Sequence, residues 1–248
     1  MKTNLLKPLL ASLLLIGCAS AQAAHFEVQS YTVSSIYSGM VDYEAFKYEG
    51  VDLSGGGDVL TMASGIDAAT DYTHAGSAFG SFFNGQTVDL STSVSFDSAN
   101  AINYFGMAVA VEKTVQLKVV ADSGDLGPVV NVSFAGLSSA VNSLGGATGS
   151  FQTSVRVMNG NSLLGSFNTN QYADQNISFA FTAQAGDILT LSASQGSHMN
   201  ATGPINASLT GMLSGDFTVT AVPEPEQYAM LLAGLGLIAG VARRRSSR

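Results

Sequence analysis

From His25 to Thr220 the chain alternates short apolar–polar runs with clusters of Gly, Ser, Asn and Asp. Val88 to Phe96 places Val88, Leu90, Val94 and Phe96 at every second or fourth position, the period of a half-buried strand. Met107–Val111 and Val115–Val119 repeat that pattern, as do Val155–Val157, Ile177–Phe181, Ile188–Leu191 and Phe217–Val219. Two Gly-Asp pairs, Gly186-Asp187 and Gly215-Asp216, stand before such runs and are read as hairpin turns, where Gly accepts a positive φ. Helix-length amphipathic patterns are nearly absent, and the pattern predicts no more than a short helical turn at 43–48. Many short strands with turn signals between them predict an all-β, antiparallel β-sandwich of jelly-roll or Greek-key type over 24–221.

The two ends break the pattern. Lys2 and Lys7 precede an apolar run from Leu9 to Ile16, and Ala21-Gln22-Ala23 supplies a small-x-small site before Ala24. That is the layout of a secretory signal peptide, residues 1–23, with an apolar part too short for a stable span. Leu15-Ile16-Gly17-Cys18 resembles a lipobox, so lipidation at Cys18 is the alternative; the well-placed Ala21 and Ala23 favour ordinary cleavage before Ala24.

Charge then narrows the body. Between Ala24 and Val222 four basic residues, Lys47, Lys113, Lys118 and Arg156, face sixteen acids, a net charge of −12. Such a surface repels phosphate backbones and argues against a nucleic-acid partner. Cys18 is the sole cysteine, so the mature body has no disulfide, thiol nucleophile or thiolate metal site. About 200 residues are long enough to bury a core without covalent staples.

Candidate chemistry is sparse. His25, His74 and His198 lie far apart in sequence, no Gly-x-Ser-x-Gly elbow or His-Glu-x-x-His run occurs, and each is read as a solvated surface histidine. Paired carboxylates for glycan hydrolysis are harder to set aside: Asp42 and Glu44 are placed on one strand face and Asp187 at a loop tip. The chain has no tryptophan to stack on sugars, which leaves Tyr43, Tyr48, Tyr72 and Tyr104 as aromatic platforms for a glycan-binding module. Asp52, Asp58, Asp67 and Asp71, with the turn Asp122–Asp125, would suit calcium by composition alone. Without an Asp-x-Asp-x-Asp-Gly loop they are read as solvated turn acids, and no metal or cofactor is assigned. Ser54–Asp58 and Gly145–Gly149 are read as loops, not phosphate cradles, because no Gly-Lys-Ser/Thr follows. Asn131, Asn176, Asn200 and Asn206 each begin an Asn-x-Ser/Thr triplet, a chance match in so Ser/Thr-rich a chain.

The C-terminus is the informative segment. Val222-Pro223-Glu224-Pro225-Glu226 holds the chain extended, because proline forbids regular helix. The uncharged run Tyr228–Ala242 would span roughly 22 Å as a helix at ~1.5 Å per residue. A hydrocarbon core is about 30 Å thick, so the span is marginal and needs Arg243 to snorkel. Arg243, Arg244, Arg245 and Arg248 then form a cytoplasmic stop-transfer cluster, with the Pro-Glu-Pro triplet on the outer face. In that order the three features resemble the PEP-CTERM sorting domain, here over 222–248. The resemblance implies a Gram-negative exported protein, held transiently in the inner membrane and trimmed near the triplet by an exosortase. It then passes to the outer surface or extracellular matrix, in company with exopolysaccharide and biofilm. It speaks of sorting and not of activity. The body is therefore expected to be a noncatalytic structural or adhesive protein, with a glycan-binding module or an extracellular glycoside hydrolase as the alternatives.

Overall fold

The computed structural model describes residues 24–42, 44–52, 59–67, 72–83, 86–99, 104–121, 129–222, 232–239 and 243. Twelve strands carry the described part of the body. They are β1 (Ala24–Val41), β2 (Glu44–Asp52), β3 (Val59–Asp67), β4 (Tyr72–Phe83), β5 (Thr87–Ser98) and β6 (Phe105–Ala121). The second half is β7 (Val129–Ser143), β8 (Thr148–Asn159), β9 (Ser162–Thr169), β10 (Gln175–Gln184), β11 (Ile188–Ala201) and β12 (Ile205–Ala221). They form two six-stranded sheets, ordered β2-β1-β6-β11-β8-β9 (sheet A) and β10-β7-β12-β5-β4-β3 (sheet B), and every pairing is antiparallel.

The order resolves the choice between topologies. From β5 to β12 the chain changes sheet at every step except the β8–β9 hairpin, so β5-β12-β7-β10 faces β6-β11-β8-β9. That is an eight-stranded jelly roll. The first four strands widen it on one side: the β1–β2 hairpin extends sheet A beyond β6, and β3–β4 extends sheet B beyond β5.

Alternation sets the core. In β6 every odd residue from Phe105 to Ala121 is buried and faces sheet B. In β1 the inward parity changes from Phe26 to Val33, Ser35, Tyr37 and Val41, across a register shift between Val28 and Ser30. One extra residue in a bulge moves the following side chains to the other face. Phe96 stacks on Phe105 with ring centroids 3.8 Å apart, and Phe134 packs on Phe217 at 4.5 Å and on Phe179 at 5.4 Å. Each fully buried side chain of this kind contributes about 1.5–3 kcal/mol, which is how a body without disulfides stays closed.

Polar bridges cross the interior and fix the two sheets laterally. Ser138 of β7 donates to Thr153 of β8 at 2.9 Å, and Thr153 donates to Gln195 Oε1 of β11 at 2.5 Å. Thr92 of β5 and Ser197 of β11 share a 2.7 Å bond. Tyr37 of β1 meets His74 Nδ1 of β4 at 2.5 Å and donates to Met107 Sδ at 2.8 Å. Tyr37 Oη has one proton, so both contacts are hydrogen bonds only when His74 carries its proton on Nδ1. A satisfied polar pair is tolerated in a core, and sliding the sheets would leave its members unpaired at about 1–3 kcal/mol each.

Four sequence expectations are corrected. Met107–Val111 and Val115–Val119 are not two strands but one, β6, because Lys113 between them keeps the inward parity; it is buried with Nζ 5.7 Å from the Tyr31 ring centroid. Residues 44–48 are strand, not a helical turn: Asp42 reverses the chain at φ 45°, and Glu44–Asp52 pairs back along β1. Asp42 and Glu44 therefore do not share a strand face, since Asp42 lies in the turn. Gly186-Asp187 is a turn, with Gly186 at φ 97°, but Gly215-Asp216 lies inside β12, paired with Val88 and Thr87. There the absent side chain leaves room for Phe134, whose Cζ would be 2.4 Å from a Cβ on Gly215.

Candidate functional site

The outer face of sheet A carries a cleft of about 570 Å³. Its floor is set by register: Ala110 of β6 pairs with Gly196 of β11, which pairs with Gln152 of β8. One row along, Ala108 pairs with His198, and His198 with Ser150. Asn168 and Asn170, at the end of β9, complete one wall. These residues alternate with the buried ones in their strands, so a rigid ladder carries all the walls except the loop residue Asn170. The side chains named are amides, a hydroxyl, an imidazole and small apolar groups, with no carboxylate, ammonium or guanidinium.

A side-chain chain leads into the cleft. Tyr104 donates its hydroxyl to Asn200 Oδ1 at 3.2 Å, and Asn200 Nδ2 lies 3.4 Å from His198 Nδ1. An amide NH₂ can only donate, so Nδ1 is the acceptor and the His198 proton sits on Nε2. His198 is therefore held on the cleft wall rather than free on the surface, half-buried.

The other histidines divide. His25 is exposed as expected. His74 is not a surface histidine: it is buried between the sheets against Tyr37, and burial pushes its pKa below the ordinary histidine value. Loss of hydration disfavours the imidazolium, which is the physical cause.

Two of the acids proposed for paired-carboxylate chemistry are drawn into local bonds: Asp42 accepts from the Tyr104 amide at 3.4 Å and Asp187 from the Gln184 amide at 2.9 Å. Asp216, expected only as a turn residue, likewise accepts from Thr87 at 2.6 Å. Among the described residues no group of three or more His, Cys, Asp or Glu is placed to hold a metal. Asp58, Asp71, Asp122 and Asp125 lie outside the described residues, and of Asp52 and Asp67 only the strand positions are described. Of the tyrosines offered as platforms, Tyr104 is exposed beside the cleft, while Tyr43 lies outside the described residues. Gln152, Asn168, Asn170 and Gly196 were not singled out by sequence reasoning; a glycine in mid-strand was the one available signal.

At the termini, Ala24 opens β1 and pairs with Ala121, whereas Cys18, Ala21 and Ala23 lie outside the described residues. Val222 closes the body by donating its amide to Val129 O at 3.0 Å. Pro223, Glu224, Pro225, Glu226, Arg244 and Arg245 lie outside the described residues. The expected tail helix is present over 232–239, with Leu232 and Leu237 strongly exposed, and Arg243 is also helical. Among the described residues no helix is long and apolar enough to cross a membrane.

Comparison with known proteins adds one firm result. Two solved structures are similar in part. TmCBM61, solved in complex with β-1,4-galactotriose, has 9% identity and a TM-score of 0.24, covering 62% of this chain and 92% of that one. The infectious bursal disease virus VP2 subviral particle has 8% identity and a TM-score of 0.17, covering 83% and 68%. Likenesses this faint carry no argument about function. Among curated proteins none matches the chain significantly. Residues 221–246 match the PEP-CTERM protein-sorting motif. The chain thus carries a PEP-CTERM sorting motif at its C-terminus, behind a β-sandwich body, which implies processing by an exosortase and export to the cell surface.

Proposed function

We propose that the protein is a noncatalytic component of the cell surface or extracellular matrix, working alongside the exopolysaccharide of a Gram-negative producer. The sorting motif at 221–246 is the observation that carries this reading. In it, residues 1–23 direct export and the segment Tyr228–Ala242 anchors the chain, with Arg243, Arg244 and Arg245 on the cytoplasmic side. Exosortase cleavage near Val222–Glu226 then frees the body.

The body's chemistry supports a structural or adhesive role over a hydrolytic one. Asp42, Asp187 and Asp216 serve as local hydrogen-bond acceptors. Both outer faces carry cross-strand hydroxyl pairs, Thr114 with Ser192 and Ser154 with Ser194 on sheet A, Ser93 with Thr210 and Ser133 with Thr218 on sheet B. Such neutral hydroxyls stay hydrated beside a neutral polysaccharide. Screening the purified body on the producer's own polysaccharide tests the reading. No turnover is expected; hydrolysis abolished by one Asp or Glu substitution would overturn it.

A further inference from the structure

Most glycines inside the strands are explained by the protein itself. A Cβ would lie 2.3 Å from the Tyr37 ring at Gly76, 2.5 Å from Ser214 O at Gly136, 2.5 Å from the Phe179 ring at Gly165 and 2.3 Å from Gln195 Nε2 at Gly211. Gly196 is different. It stands in the middle of β11, and a Cβ there would meet only Val109 O at 3.8 Å and the Ala110 Cβ at 3.9 Å, ordinary contacts. Nor does its backbone call for glycine, since Gly196 is not among the positive-φ residues. A strand-interior glycine costs about 0.5–1 kcal/mol relative to alanine. Where packing does not require it, close approach of a ligand is the remaining use.

Gly196 lies in the floor of the sheet A cleft, beside Ala110 and one row from Ala108. The central floor residues Ala108, Ala110 and Gly196 do not extend beyond Cβ, so a flat ring can rest nearly on the backbone there. Gln152, Asn168 and Asn170 at the walls each offer a donor and an acceptor, as does His198 with Nδ1 occupied by Asn200 and Nε2–H free to donate. A sugar hydroxyl is likewise donor and acceptor at one atom. The cleft has no cation for an acidic sugar, and a body of net charge −12 repels one. An extended peptide fits the floor poorly, because recognition by strand addition needs an open edge, and the floor strands β6, β11 and β8 are each paired on both sides, with β9 at the wall as the edge strand. A volume of about 570 Å³ falls in the range of small-molecule sites, ~300–1,000 Å³, and takes a short segment of a longer chain.

We propose that the cleft floored by Ala108, Ala110 and Gly196 binds a short segment of a neutral glycan. A ring face lies on Gly196 and the hydroxyls bond to Gln152, Asn168, Asn170 and His198. The site rests on the reading of the protein as a noncatalytic partner of polysaccharide, and would be its point of attachment.

The test is affinity electrophoresis of the exported protein, as isolated from the producer, through gels containing soluble β-glucan, mannan or xylan, with polygalacturonate as the acidic probe. At least one neutral polymer is expected to retard the protein. Gly196→Leu, which fills the floor where the fold leaves room, should weaken retardation at least tenfold while its urea midpoint stays at the parental value. Asn168→Ala should weaken it by about tenfold or less, the worth of one hydrogen bond of ~0.5–1.5 kcal/mol. Ser93→Leu, on the outer face of sheet B, should change nothing. Retardation by none of the three neutral polymers, retardation by polygalacturonate alone, or equal retardation of Gly196→Leu and parent would each overturn the site. Surface delivery of the same protein, followed by fractionation, would still stand in those cases, so loss of the site and loss of the sorting reading are distinguishable.

Discussion

Gly76→Ala is the sharpest probe of how the sheets are locked. Gly76 lies in β4 of sheet B, and a Cβ there would sit 2.3 Å from Tyr37 Cδ2 and Cε2, deep inside contact distance. Tyr37 is fully buried and cannot swing into solvent. Its hydroxyl is tied to His74 at 2.5 Å and Met107 at 2.8 Å, so any ring shift breaks the bridge between the sheets. Overpacking of this kind costs about 1–3 kcal/mol. An unmade buried hydrogen bond adds about 1–3 kcal/mol, and removing a strand glycine returns about 0.5–1 kcal/mol. The net loss is about 2–4 kcal/mol. With a urea slope of about 2–3 kcal/mol/M for a body this size, the midpoint falls by about 1 M. The chain has no tryptophan, so tyrosine fluorescence and far-ultraviolet circular dichroism are the probes. Tyr37→Leu should make room and remove most of the penalty, giving a coupling of about 2 kcal/mol or more in a double-mutant cycle. An unchanged midpoint in Gly76→Ala, or the same drop with and without Tyr37→Leu, would refute the reasoning.

Other outcomes follow from the same structure. His74 is kept neutral by burial, so the folded state binds fewer protons than the unfolded chain below its ordinary pKa; stability is therefore level above about pH 6.5 and falls as pH drops below it. His74→Gln should flatten that slope in urea titrations between about pH 7 and 5. Thr153→Val should destabilise by about 1–3 kcal/mol by stranding Ser138 and Gln195, read as a lower urea midpoint. Replacing Pro223, Glu224 and Pro225 with alanine should leave export intact but block trimming, so that a body tag fractionates with the inner membrane as a heavier species; release at parental size and rate would reduce the triplet to a linker. Mass spectrometry of the exported protein should find an unmodified N-terminus at Ala24, and an acylated Cys18 would show that the lipobox is used.

Period-two alternation made the architecture legible where one face is buried and the other wet, as in β5. It failed where parity is kept by an unexpected residue. Lys113 points inward by position and interrupts the apolar run by composition, so β6 read as two strands. At Gly215-Asp216 the turn chemistry of the pair lost to pairing on both sides, and the glycine answers to a neighbouring ring instead. The segment after Asp42 lacks a buried-face signal strong enough to outweigh its helix-tolerant residues until its pairing with β1 is known. The cleft was illegible for another reason. Its residues come from β6, β8, β9 and β11, separated by up to about ninety positions, and most are small or neutral types that mark nothing by themselves. The sorting signal is the reverse case: contiguous, ordered and confined to one end, it could be read without the fold.

The position of β12 gives export a direction in time. Sheet B joins β5 to β7 only through β12, so the sheet consists of two separate pieces, β10-β7 and β5-β4-β3, until the last strand of the body arrives. That strand ends at Ala221, beside Val130, and runs straight into the sorting motif. On the proposed reading, in which the chain leaves the cell N-terminus first and is anchored by its tail, the fold is completed only as the anchor reaches the membrane. A tether cut after that moment releases a closed body; a tether cut earlier would release a half-sheet with two open edges facing each other. The sorting motif behind β12 serves, on this view, as a clock for maturation as well as an address.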